Sequence, residues 1–185
     1  MKIGFIGDLH LDYNTHHDYI KSFAAICRNL HLDTIVFCGD TTTGAFQSLA
    51  FYDKLSQLVD TRILEIPGNH ELYCTERDRA ISDDVCFDAD EYLDLMLNHP
   101  IYSLFQHPIV CNDWVVIGSP SWYDYSLHSK YLHMTEATKR RFLKRCPEYK
   151  YLQDSENNPH INEKITGKSL RLMEKQLRTI RERPN

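Results

Sequence analysis

Apolar and polar positions alternate in blocks along the first part of the chain, and the blocks define its elements. Residues 2 to 7, Lys2-Ile3-Gly4-Phe5-Ile6-Gly7, form a short apolar run closed by glycine, the signature of a buried strand. After a polar loop from Asp8 to His17, apolar residues recur at helical spacing at Tyr19, Ile20, Phe23, Ala24, Ile26, Cys27 and Leu30. This predicts a helix that starts at Asp18 and ends near Asn29 to His31. Residues 33 to 38 predict a second strand, in which β-branched Thr34, Ile35 and Val36 favour the extended state. A Thr-rich loop, Thr41-Thr42-Thr43-Gly44, leads to a second helical pattern in Phe46, Leu49, Ala50, Tyr52, Leu55 and Leu58. A third strand over residues 61 to 66 stops at Pro67-Gly68. Strand, helix, strand, helix, strand predicts a parallel sheet with crossover helices.

The rest of the chain is patterned less regularly. Residues 73 to 90 read as acidic and irregular, and Glu91 to Leu97 as the end of a helix halted by Pro100. Ile101 to Leu104 and Ile109 to Cys111 predict short strands. The Asn112-Asp113 turn before Trp114 to Ser119 predicts a hairpin in a second sheet. Residues 121 to 162 are rich in aromatic, histidine and basic residues. A final amphipathic helix is expected from Ile165 to Arg183, marked by Leu170, Leu172, Met173, Leu177 and Ile180. The expected fold is α/β, two sheets face to face with flanking helices, in one domain over residues 1–185.

Composition narrows the functional classes. With 42% hydrophobic and 25% charged residues, the chain belongs with globular proteins. A net charge of -5 argues against holding nucleic acid by electrostatics, which needs a surplus of lysine and arginine. The basic runs Lys139-Arg140-Arg141 and Arg171 to Arg183 read as solvated helix faces. Six scattered cysteines, with no C-x-x-C pair, read as reduced thiols in a cytoplasmic protein. No apolar run reaches the roughly 20 residues of a membrane-spanning helix.

The chemistry lies where the three strands end. Asp8-x-His10, Gly39-Asp40 and Gly68-Asn69-His70-Glu71 each follow an apolar run. In an open parallel sheet the carboxyl ends of the strands share one edge, which is where such sheets place ligands. Carboxylate oxygen and imidazole nitrogen together suit Mn, Fe, Zn or Mg. Each group alone has a bland reading: Asp8 as a helix cap, His10 as a surface histidine, Asn69 as a turn residue. Three in succession point to a metal site, because carboxylates gathered at one edge need cations to balance them.

These three motifs, at these spacings, resemble those of the calcineurin-like metallophosphoesterases. The resemblance implies that Asp8 and His10 hold one divalent cation, Asp40 bridges two and Asn69 holds the second. It places His70 beside the scissile phosphate, stabilising charge or protonating the leaving oxygen. The implied activity is hydrolysis of phosphate mono- or diesters through attack of a metal-activated hydroxide at a binuclear centre, with Mn the expected activator. The later segment Gly118 to Tyr125 also resembles a stretch found in bacterial members, and offers Trp122 and Asp124 as substrate-binding residues.

The family pattern continues with a further histidine and a Gly-His-x-His motif, and this sequence contains neither. The second sheet is therefore expected to be incomplete, with an exposed edge through which the chain self-associates. His128 and His133 are the alternative source of ligands, with an aromatic surface pair as their bland reading. Two rival functions follow: a weakly active or inactive remnant that binds metal or phosphate and acts through a partner, and a nuclease.

Overall fold

The computed structural model describes residues 1–13, 17–81, 87–120 and 161–182, with isolated positions between 135 and 152. Strands β1 (Ile3–Ile6), β2 (Thr34–Cys38) and β3 (Arg62–Ile66) form a parallel sheet in the order β1-β2-β3. The register aligns Ile3 with Thr34 and Thr34 with Arg62, so β2 and β3 end level and β1 ends one residue earlier. Backbone bonds from Glu65 N–H to Tyr102 (2.7 Å) and from Leu104 N–H to Glu65 (3.0 Å) add residues 102 to 104 beside β3. The strand expected at Ile101 to Leu104 is thus a single parallel bridge.

The connecting helices are α1 (Tyr19–Leu30) and α2 (Ala45–Ser56). The Asp18 carboxylate caps α1 by accepting from Lys21 N–H at 3.1 Å. His31, left-handed at φ 50°, ends it. Alternation along the strands divides the core into two layers. Ile35, Phe37 and Ile63 pack with Phe23, Phe51, Tyr52 and Leu55 on the helical side. Val36 and Leu64 face Leu104 and Ile109 on the other. Phe23, Phe37 and Phe51 meet edge to face with centroids 5.6 to 5.8 Å apart, an arrangement that suits the aromatic quadrupole.

The segment read as irregular contains helix α3 (Glu76–Ile81), too short and too charged for periodicity to reveal. Helix α4 (Ala89–Leu97) begins at a capping box, in which Asp88 accepts from Glu91 N–H and Glu91 from Asp88 N–H. The predicted hairpin is present as β4 (Ile109–Val110) and β5 (Val115–Val116), an antiparallel pair forming a second, small sheet. The last helix, α5, spans Ile161–Arg181 and starts a turn earlier than the apolar stripe predicts. Its contact face follows that stripe only in part: Leu172 packs against the core, and Met173 and Ile180 are half-buried. Leu170 and Leu177 are 55% and 42% exposed, whereas Ile165, Ser169 and Gln176 are buried.

Among the described cysteines, Cys27, Cys38 and Cys111 are free thiols, as expected. Cys74 is disulfide-bonded, which corrects the reading of uniformly reduced thiols. The spacing rule detects frameworks of repeated close pairs and passes over a single bridge. No described helix is long and apolar enough to cross a membrane.

Candidate metal centre

The residues immediately after β1 and β2 bring Asp8, His10 and Asp40 together. One ligand-type atom from each lies within 4.8 Å of the others. The turns that carry them are bound backbone to backbone: Asp8 N–H donates to Gly39 C=O (3.0 Å), and Leu9 and His10 N–H both donate to Asp40 C=O (2.8 and 2.9 Å). All three group members adopt left-handed backbone, with φ of 58° at Asp8, 45° at His10 and 53° at Asp40. Non-glycine residues pay for that conformation, and such strain concentrates at functional sites. Gly39 is left-handed too, at φ 82°, and a Cβ there would meet the Gly68 backbone at 2.8 Å. Gly39 therefore lets the β2 and β3 turns touch.

The donor set fits a divalent cation. His10 Nε2 pairs with Asp8 Oδ1 at 2.9 Å, while its buried Nδ1 has no hydrogen-bond partner. One imidazole and two carboxylates, one of them half-buried, offer the mixed nitrogen and oxygen donors that a divalent cation takes.

The third strand end joins the same site. His70 N–H donates to Asp40 Oδ1 at 3.0 Å. The His70 ring lies edge-on to the His10 ring, with centroids 4.3 Å apart, and its Nδ1 is 3.3 Å from Thr43 Oγ1. Asn69 Nδ2 donates to the buried Tyr73 hydroxyl at 2.8 Å, which turns the amide oxygen away from that bond. A model of the calcineurin-like phosphoesterases matches residues 1–175. The chain belongs to that family. Its membership accounts for the α/β fold, and the phosphoesterase family works through divalent cations and takes phosphate esters as substrates. No curated protein and no solved structure matches the chain.

The structure thus brings Asp8, His10 and Asp40 into one group and sets Asn69 and His70 on the adjoining turn. Trp122, Asp124, His128 and His133 lie outside the described residues. Residue types alone give no role to the aromatic rings around the group: Tyr13 stacks on His10 at 5.2 Å, and Tyr73 packs on His70 at 4.8 Å. Both follow a motif by two or three residues, and that proximity was the one available signal. Nor did it give a role to Glu71, which is wholly buried behind the turns. Burial raises the Glu71 acid above its ordinary value, against the opposing pull of the Asp40, Gly68 and Thr41 amides that donate to it.

Proposed function

We propose that this phosphoesterase hydrolyses phosphate mono- or diesters at a binuclear centre in which Asp8, His10 and Asp40 hold one divalent cation and Asp40 and Asn69 the second. The observation that carries the reading is the Asp8, His10 and Asp40 group, set on strained turns at the ends of adjacent parallel strands. When bound, divalent cations of this kind, Mn foremost, polarise a phosphoryl group and lower the pKa of water. The chain's own contribution is placement. Asp40 faces both neighbouring turns, since its carbonyl binds the β1 turn and its carboxylate binds His70 N–H. His70, steadied by Thr43 and Tyr73, presents its ring beside the group, where it stabilises charge on the phosphate or gives a proton to the leaving oxygen.

The test measures bound Mn and turnover of an aryl phosphate and an aryl phosphodiester. Asp40→Asn is expected to lose both activity and most of the metal. His70→Ala is expected to keep the metal while turnover falls at least about 100-fold, the usual loss for a general acid. Equal metal loss in the two variants would mean that the roles are misassigned. One metal per wild-type chain without turnover would overturn the enzyme reading in favour of a binding remnant. Cleavage of single-stranded DNA that His70→Ala abolishes would instead make the chain a nuclease.

A further inference from the structure

Glu71 is not among the ligand residues, yet its carboxylate binds the framework of the site at four points. Its Oε2 accepts from Gly68 N–H (2.8 Å) and Asp40 N–H (2.9 Å), and its Oε1 from Thr41 N–H (2.7 Å) and the Ser48 hydroxyl (3.1 Å). An ionised carboxylate offers about four lone-pair sites, so these donors fill it and leave nothing for a cation. The donors come from different places: Gly68 from the β3 turn, Asp40 and Thr41 from the β2 turn, and Ser48 from α2. The constraint does not end there. The Asp40 carbonyl receives Leu9 and His10 N–H, so whatever fixes the Asp40 backbone also fixes the β1 turn.

Three of the groups fixed in this way are held against their preference. Asp8, His10 and Asp40 are all left-handed, and each needs surrounding bonds to stay so. The second oxygen of the β2 turn, Thr41 C=O, receives Leu11 N–H at 2.9 Å, so both β2-turn amides held by Glu71 belong to residues that hold the β1 turn.

We propose that Glu71 is the positioning residue of the metal centre: by clamping the amides of Asp40, Thr41 and Gly68, it holds Asp8, His10 and Asp40 in cation-binding geometry before any cation arrives. This deepens the metal-centre reading above and rests on it. Buried groups that orient ligands from behind commonly govern metal affinity as strongly as ligands do.

Glu71→Gln tests it with little change of shape. The amide nitrogen that replaces one oxygen faces backbone N–H donors whichever way the group is turned, so one turn is released. In the metal-free protein, amide hydrogen exchange at Asp40 and Thr41 is expected to quicken by about 10-fold or more, with exchange at Val36 in β2 unchanged. The Mn dissociation constant is expected to rise about 10- to 100-fold. Faster exchange with wild-type Mn affinity would reduce Glu71 to a structural brace and overturn the proposal. So would weaker Mn binding with wild-type exchange, because the effect would then not pass through the turns. Should Glu71→Gln fail to fold, Ser48→Ala decides: it removes one donor from the clamp and leaves the carboxylate in place. A several-fold loss of Mn affinity supports the proposal, and an unchanged affinity overturns it. Failure of the wild-type chain to bind Mn would overturn the metal-centre reading instead, while the exchange experiment, run without metal, still reports on the clamp.

Discussion

Glu65 is a carboxyl buried without a partner. It is 1% exposed, and neither of its carboxylate oxygens has a hydrogen-bond partner. Burial first, and then the charge of nearby Glu71, push its acid well above the ordinary 4.5. Glu65 is the polar position in Ile63-Leu64-Glu65-Ile66, on the same face of β3 as Ile63, and residue types say no more than that. The structure closes that face with α2 and Tyr52, whose own hydroxyl is held protonated first by burial and then by the two glutamates. The consequence for stability has a definite sign. Below the ordinary value both folded and unfolded chains carry the proton, and nothing is lost. As pH rises past 4.5, the unfolded chain releases the proton and the folded chain does not, so stability falls by about 1.4 kcal/mol per pH unit until the raised value is reached. Glu65→Leu should therefore stabilise the protein at neutral pH by about 1 to 3 kcal/mol, the cost of an unsatisfied buried polar group. Urea melts at weakly acid and neutral pH should show a shallower pH slope in the variant. An equal slope would mean that the Glu65 carboxyl ionises freely inside the fold.

Among the elements, those with strong local patterning were legible, and those defined by distant partners were not. Strands β1 to β3, helices α1 and α2 and the β4–β5 hairpin follow from apolar runs and turn residues, and the grouping of Asp8, His10 and Asp40 follows from what ends β1 and β2. Helix α5 shows the limit. Its apolar periodicity picks out Leu170 and Leu177, but the bonds that seat it are polar and reach far along the chain. Lys168 Nζ lies 2.7 Å from both Asp90 and Asp94 on α4, and Lys164 Nζ lies 3.2 Å from Asp90. Gln176 donates to Phe105 C=O at 3.0 Å, and Ser119 to Ser169 C=O at 3.2 Å. A hydrophobicity pattern carries no information about such pairs. Partial burial raises the Asp90 acid, but Lys168 and Lys164 outweigh it and leave the value lowered. That contribution is present above the ordinary 3.8 and is lost as pH falls through the folded value. Lys168→Ala should cost about 1 kcal/mol at neutral pH, the upper end for partly exposed ion pairs. The difference from wild type should shrink as Asp90 becomes protonated in acid. A deficit that persists undiminished at low pH would assign the effect to the lysine stem's packing instead.

At the scale of the molecule, the two faces of the parallel sheet are not covered alike. The helical face packs against Phe23, Phe51, Tyr52 and Leu55, whereas the opposite face is covered over β2 and β3 by Leu104, Ile109 and Val116. Over β1, the outer strand among the described residues, Phe5 is 57% exposed although its partner in register, Val36, is fully buried. An outer strand with an exposed aromatic ring is a template for another strand. We propose a second copy of this chain as the occupant, since two β1 strands paired antiparallel about a two-fold axis satisfy both edges at once. That geometry places the two metal groups at opposite ends of the joined sheets, because each lies at the carboxyl end of its own β1. Self-association and metal binding are then separable. Sedimentation velocity should show a species whose mass rises with protein concentration, and Phe5→Glu should return it to the monomer while leaving Mn affinity at the wild-type value. A wild-type chain that stays monomeric throughout would remove the dimer. A variant that loses Mn affinity along with association would place Phe5 in the support of the β1 turn rather than at an interface.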